Sequence, residues 1–240
     1  MPDTPADTPA DVHGIDVRAA RRRFERAAAS APGTDALARE VERRMAERLD
    51  LVRIEPRRIL DAGCGTGGCC AVLRKRYPEA LVVGVDSAQA VLALDAPGSL
   101  AARAWRRIAG TGRASVCADL AALPFAGACF SLAWSNLALP WTPDPMSAFA
   151  ELRRVLERGG LLMFSSYGPD TLKELRAAFA AADAHSHVHR FIDMHDLGDM
   201  LVASGFETPV MDMELLTLTY ADFDSLARDL RLSGQSNVAV

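Results

Sequence analysis

The chain has 240 residues, half of them hydrophobic, and a formal net charge of −4 at pH 7. That length is enough for one large domain with a substantial core, and the acid excess argues against a general nucleic-acid binder. No apolar run is long enough to cross a membrane, and the five cysteines include no C-x-x-C spacing, as expected of reduced thiols in a cytoplasmic protein.

Residues 1–16 are rich in proline and acid and read as a disordered tail. They lack the basic segment and apolar core of a secretory signal. Residues 17–240 read as a single domain. Within it, 17–50 form cap helices, 55–220 a sheet with its helices, and 221–240 a C-terminal helix. The first helix, 17–29, carries Arg18, Arg21, Arg22, Arg23 and Arg26. These are either a solvated face or a docking surface for an acidic partner. Ala31-Pro32-Gly33 breaks the helix. The second helix, 34–49, places Leu37, Val41, Met45 and Leu49 at helical spacing. Both precede the first strand, a position that suggests a cap over the ligand end of the sheet.

The most informative stretch comes next. Ile59-Leu60 is an apolar run ending in Asp61, followed by Gly63, Gly65, Gly67 and Gly68. A helical pattern then runs to residue 77. Strand, glycine turn and helix in that order let a ligand lie against bare backbone and face the unpaired N–H groups of a helix start. Gly63, Gly65 and Gly68 fit the dinucleotide spacing, while Gly63, Gly65 and Gly67 fit the G-x-G-x-G of S-adenosylmethionine-dependent methyltransferases. Asp61 decides between them. Its carboxylate would repel a pyrophosphate and attract the ammonium of a methionine moiety, directly or through water.

Residues 81–86 are a continuous apolar strand ending in Asp86, placed to accept from ribose hydroxyls, with Ser87 beside it opening a helix. Residues 96–112 read as a connection with a basic helix carrying Arg103, Arg106 and Arg107. Strand three, 114–119, ends in Asp119, where an acid can accept from the adenine amino group, and Leu123-Pro124-Phe125 follows it and could pack on the ring. Strand four, 129–136, ends in Asn136 and leads to Trp141 at the carboxyl end of a central strand, where ligands bind in open α/β sheets. A helix over 146–156, a turn at Arg158-Gly159-Gly160 and strand five, 161–166, follow. The alternation predicts an α/β, Rossmann-like, doubly wound and mostly parallel sheet. Beyond it, a helix from Gly168 to about residue 182 and a His-rich link with His185, His187 and His189 are expected. A helix over 193–204, a strand over 210–220 and a last helix over 222–232 complete the reading. The link lacks the aligned ligand set of a zinc site, so no metal is expected.

The chain resembles the malonyl-acyl-carrier-protein O-methyltransferases of biotin synthesis. The general class I methyltransferase signature is Asp61 to Gly67, Asp86, Asp119 and Val155-Leu156-Glu157-Arg158-Gly159-Gly160. More specific are Ser135-Asn136-Leu137-Ala138-Leu139, the stretch from Gly168 to Arg176, and Arg190-Phe191-Ile192-Asp193-Met194-His195. The resemblance implies S-adenosyl-L-methionine as cofactor, held by Asp61, Gly63, Gly65, Gly67, Asp86, Ser87, Asp119, Leu120 and Asn136. Malonyl acyl carrier protein is the implied substrate and partner, with no nucleic acid and no membrane involved. Trp141, Tyr167, Arg190 and His195 are the candidate substrate contacts.

Family members usually carry a Tyr where Ser30-Ala31-Pro32 stands here, and a Gln where Pro140 stands. They continue for roughly fifty residues beyond Val240, enough for a last helix and strand. Residues 210–220 should then pair differently or leave an exposed edge.

Methyl transfer to a carboxylate needs no general base, because the nucleophile is already ionised at neutral pH. An aromatic, water-excluding pocket is therefore expected, with Trp134, Trp141 and Tyr167 as either its walls or core residues. A phenolic acceptor on a quinone-like ring would want a base, and His195 could supply one. Another small acid as acceptor, or a non-catalytic relative, are the other readings. Arg190 either grips the acyl end of the substrate or pairs with Asp193 or Asp196.

Overall fold

The computed structural model describes residues 16–30, 35–94, 114–183, 185 and 187–234. The expected tail lies outside them except for Asp16, whose side chain accepts from the Ala19 N–H at 2.9 Å and starts the first helix. The basic helix expected at Arg103–Arg107 also lies outside them.

Five parallel strands form one sheet in the order β3-β2-β1-β4-β5. They are β1 (Arg58–Ala62), β2 (Leu81–Asp86), β3 (Ala114–Cys117), β4 (Phe130–Asn136) and β5 (Leu156–Ser165). The order reverses direction beside β1, so the carboxyl ends of β1 and β4 flank a crevice. β1 from Ile59 to Ala62 and β4 from Phe130 to Ser135 are buried throughout, as expected of central strands covered on both faces.

Alternation along the strands sorts side chains onto two faces. Leu60, Ala62, Val83, Val85 and Ala133 pack with α5 (Pro145–Val155) through Phe149 and Leu152. Leu197 and Leu201 of α7 (Met194–Ala203) join them. On the other face Ile59, Val82, Leu132 and Trp134 meet Met45 and Leu49 from the second N-terminal helix and Leu73 of α3 (Gly68–Arg76). At full burial each Leu, Ile, Val, Phe or Met side chain among these contributes about 1.5–3 kcal/mol.

The two N-terminal helices are α1 (Val17–Ser30) and α2 (Ala36–Arg48). Asp35 caps α2 by accepting from Ala38 N–H at 2.8 Å. At its inner side the Asn136 amide donates to the Ala38 carbonyl at 2.9 Å and accepts from Ser165 Oγ at 2.9 Å. That pair of bonds fastens α2 across the carboxyl ends of β4 and β5, as a cap should lie. α1 packs on α4 (Gln89–Leu94) and on α8 (Phe223–Leu232).

Three expectations are corrected. The strand over 210–220 does not form: its backbone joins no ladder, Val210 is 94% exposed and Leu215 70%. The segment is held by side chains instead. Asp212 and Glu214 take Arg48 at the end of α2, and Glu214 also takes Arg44. Second, the helix after Gly168 starts late, as α6 (Lys173–Ala180). Residues 168–173 make successive tight turns, and Leu172 sits at φ +55°, which stops helical propagation. Third, the turn expected at Arg158-Gly159-Gly160 is a bulge inside β5. Phe130 pairs with Leu156 while Leu132 pairs with Leu161, so the extra residues loop out at Gly159, φ +79°.

Candidate active site

The glycine stretch folds as a turn tied to the next strand. Gly63 and Cys64 N–H both donate to the Val85 carbonyl, at 2.8 and 2.9 Å. Gly63, Gly65 and Gly67 all take positive φ, and Gly67 is the N-cap of α3. A methyl group on Gly63 would lie 2.1 Å from Ala138 Cβ, whereas one on Gly65 would meet nothing within 4 Å. Gly63 is thus a packing glycine against the end of β4, and Gly65 bares its backbone to the crevice.

Asp86 closes this turn from β2. Its carboxylate accepts from Gly65 N–H at 2.9 Å and from Ala88 N–H at 2.8 Å. Each oxygen retains a lone pair for a ligand hydroxyl. Burial outweighs those bonds and pushes the carboxyl above its ordinary range.

Asp61 is 1% exposed, and neither of its oxygens has a hydrogen-bond partner. It lies opposite Gly84 on β2 and Trp134 on β4. Burial first, then the Cys70 thiol and the Glu42 and Asp86 carboxylates, hold its pKa well above the carboxylate range. A buried carboxylate without a partner is costly, and a cation against it removes the cost. The ammonium of an amino acid moiety fits that donor set; a phosphate does not.

The remaining candidate positions are distributed as follows. Asp119 is exposed and accepts from Ala121 N–H at 2.9 Å, and Ser87 is exposed just past β2. The Leu120 side chain belongs to the core, leaving only its backbone to face a ligand. Both ends of the Asn136 amide are engaged within the protein. Trp134, on the α2 side of the sheet, is fully buried.

Trp141 and Tyr167 belong to an aromatic chain beyond β4 and β5. Trp141 stands edge-on to Phe24 of α1 and to His189, each at 5.2 Å between centroids. Phe191 follows, 6.3 Å from His189 and 5.1 Å from Tyr167. Arg190 lies within this run with its side chain exposed, and among the described residues it makes no ion pair with Asp193 or Asp196. His195 points outward, its side chain 78% exposed, with Nδ1 2.7 Å from Asp193 at the start of α7. His187 stacks on Phe179 at 4.1 Å and meets Asp183 at 2.9 Å.

The sequence reading assigned no role to Glu42, Cys69 or Phe24, and it carried Phe191 only within the Arg190–His195 stretch. Glu42 carried no signal, because it sits among the arginines and glutamates of α2 and is not one of the apolar positions Leu37, Val41, Met45 and Leu49 that mark the inward face.

A methyltransferase-domain family profile matches residues 60–164, which hold the glycine turn, Asp86 and β4. A malonyl-acyl-carrier-protein O-methyltransferase of Nitrosospira multiformis is 49% identical over 235 residues, covering 94% of this chain and 76% of that protein. The chain belongs to this O-methyltransferase family. Another member, from Laribacter hongkongensis, is 50% identical over 90% of this chain and 73% of its own length. Among solved structures, an S-adenosylmethionine-dependent methyltransferase from Thermotoga maritima superposes with a TM-score of 0.56, at 20% identity. That match covers 78% of this chain and 81% of its own. The geranyl diphosphate C-methyltransferase of Streptomyces coelicolor, solved with S-adenosyl-L-homocysteine, gives 0.51 at 19% identity, over 69% of this chain and 61% of its own. Those two likenesses speak for the fold, which is the Rossmann-like α/β fold of methyltransferases. Within the described residues of this O-methyltransferase family member, no helix is long and apolar enough to cross a membrane.

Proposed function

We propose that the protein uses S-adenosyl-L-methionine to methylate the free carboxyl group of a malonyl thioester on acyl carrier protein, an early step of biotin synthesis. The observation that carries the cofactor is the buried, unpartnered Asp61 carboxylate under the glycine turn. The acceptor is supported by the shared name of relatives at 49% and 50% identity that cover most of this chain.

Bound S-adenosylmethionine supplies a methyl group on a sulfonium centre. In this reading Asp61 takes the ammonium, the Gly65 backbone lies against the cofactor, and Asp86 accepts from its ribose while bracing that backbone. Asp119 and the Leu120 backbone stand where the adenine would end. Phe24, Trp141, Tyr167 and Phe191 wall the acceptor side and exclude water. Exclusion matters because a carboxylate and a sulfonium annihilate charge in the reaction, and both are better solvated by water than their products are. No proton has to leave the acceptor, so the exposed His195 is not needed as a base. That placement disfavours the phenolic acceptor, which would need a base at the pocket.

The test is a transfer assay with methyl-labelled cofactor. Label should pass to malonyl carrier protein as a base-labile ester. Binding of S-adenosylhomocysteine without transfer to any malonyl thioester would leave a cofactor-binding protein with another acceptor or none.

A further inference from the structure

We propose that Glu42, on the N-terminal helix α2, is a second carboxylate that holds the cofactor's ammonium together with Asp61, making the cap part of the cofactor site. This rests on the S-adenosylmethionine reading above.

The helix itself supplies the first argument. Ala38 faces the sheet, because its carbonyl takes the Asn136 amide. Glu42 follows one turn later on the same side, and Met45 and Leu49 continue that side into the core. The other acids of α2 turn outward and pair with arginine: Glu40 with Arg43 and Arg44, Glu47 with Arg43. Among the described residues Glu42 makes no ion pair. Its Oε1 is buried without a hydrogen-bond partner, and its side chain meets the Cys69 thiol at the start of α3.

The second argument is what Glu42 faces. It is one of the groups acting electrostatically on Asp61, which is itself buried with both oxygens unpartnered. Cys69 feels both carboxylates. Two acids that act on one another, Asp61 fully buried on β1 and Glu42 half-buried on the cap with Oε1 shielded, repel unless a proton or cation lies between them. An ammonium has three donors and one charge, so it can satisfy Asp61 and Glu42 at once. The same contact would couple cofactor binding to closure of α2 on the sheet.

The experiment compares two ligands on the full chain. S-Adenosylhomocysteine carries the ammonium; 5′-methylthioadenosine has the same adenosine and thioether but no amino acid part. In Glu42→Gln, the Kd for S-adenosylhomocysteine should rise about tenfold, while that for methylthioadenosine stays within about twofold. The ligand-free variant should melt at or above the wild-type temperature, since one member of a repelling pair is gone. Equal weakening of both ligands would make Glu42 merely a support for α2, and unchanged binding of both would remove it from the site. If the Gln variant does not fold, Glu42→Met, which keeps the bulk, is judged by the same comparison. Failure of the folded wild type to bind S-adenosylhomocysteine would instead overturn the cofactor reading.

Discussion

The backbone N–H of Gly65 donates to the carboxylate of Asp86 at 2.9 Å, so the acid at the end of β2 braces the turn at the end of β1. An acid placed to read a ribose therefore also shapes the loop the cofactor lies on. Asp86→Ala should lose both functions. The expected cost is about 1.5–3 kcal/mol of stability, that of a hydrogen bond to a charged group, with cofactor affinity falling as well. Asp86→Asn keeps an acceptor and should recover part of each. Melting temperature and cofactor Kd, measured side by side, check this; an Ala variant with wild-type stability would show that the turn holds without the brace.

Asp61 sets a pH dependence. Burial, then Cys70, Glu42 and Asp86, raise its pKa in the cofactor-free protein. Glu42 and Asp86 are raised too, each chiefly by burial. Protonation of Asp61 therefore favours the ligand-free fold: that contribution is full below the ordinary carboxylate pKa and fades as pH rises through the elevated one. An ammonium ligand favours the ionised form. Cofactor affinity should accordingly climb with pH across the same interval, with protons released on binding. Calorimetry in buffers of different ionisation enthalpy measures the release. Asp61→Asn should bind weakly and lose most of the slope; a flat wild-type profile would mean Asp61 is already ionised when free.

Two glycines of one turn should respond differently to alanine. Gly63→Ala places a methyl 2.1 Å from Ala138 Cβ at φ +81° and should cost about 2–4 kcal/mol of stability. Gly65→Ala enters open space at φ +53° and should cost only about 1–2 kcal/mol. Its methyl projects where the cofactor would lie, so affinity should suffer more than stability. Similar melting points for the two variants would contradict this division of roles.

Arg190 is exposed beside the aromatic chain, and Asp193 is engaged by His195. Arg190→Met should raise KM for malonyl carrier protein more than it lowers kcat, with cofactor affinity unchanged. The reason is that the carboxylate loses its charge in the transition state, so a tight guanidinium grip would favour the ground state. Wild-type kinetics in a stable variant would remove Arg190 from the acyl site.

The exposed arginines of α1 offer a local basic face on an acidic chain. Arg18→Glu with Arg22→Glu should lower kcat/KM for malonyl carrier protein about tenfold at low salt, and the effect should shrink as salt is added. A malonyl thioester of N-acetylcysteamine, which lacks the acidic carrier, should be used equally well by both proteins. Loss of activity toward both substrates would point to damage to the fold.

The parts legible in the sequence were those governed by near neighbours. Apolar runs ending in acid, glycines at fixed spacing and capping residues obey local rules, so β1, its turn, α3 and β2 lie within a residue or two of their expected places. The acids at the strand ends could also be placed, because in a parallel sheet every strand delivers its carboxyl end to the same crevice. The tertiary structure decided what depends on partners distant in the chain. Residues 210–220 have the alternation of a strand, but alternation supplies no neighbouring edge, and Asp212 and Glu214 take the arginines of α2 instead. The sequence placed Asn136 at the carboxyl end of β4, but only the fold shows that its amide also ties Ala38 to Ser165. Glu42 looked like one more surface acid in a charged helix. Only the docking of α2 over β4 and β5 turns that one residue inward, where it acts on Asp61, because helix periodicity fixes which residues share a face but not which face meets the sheet.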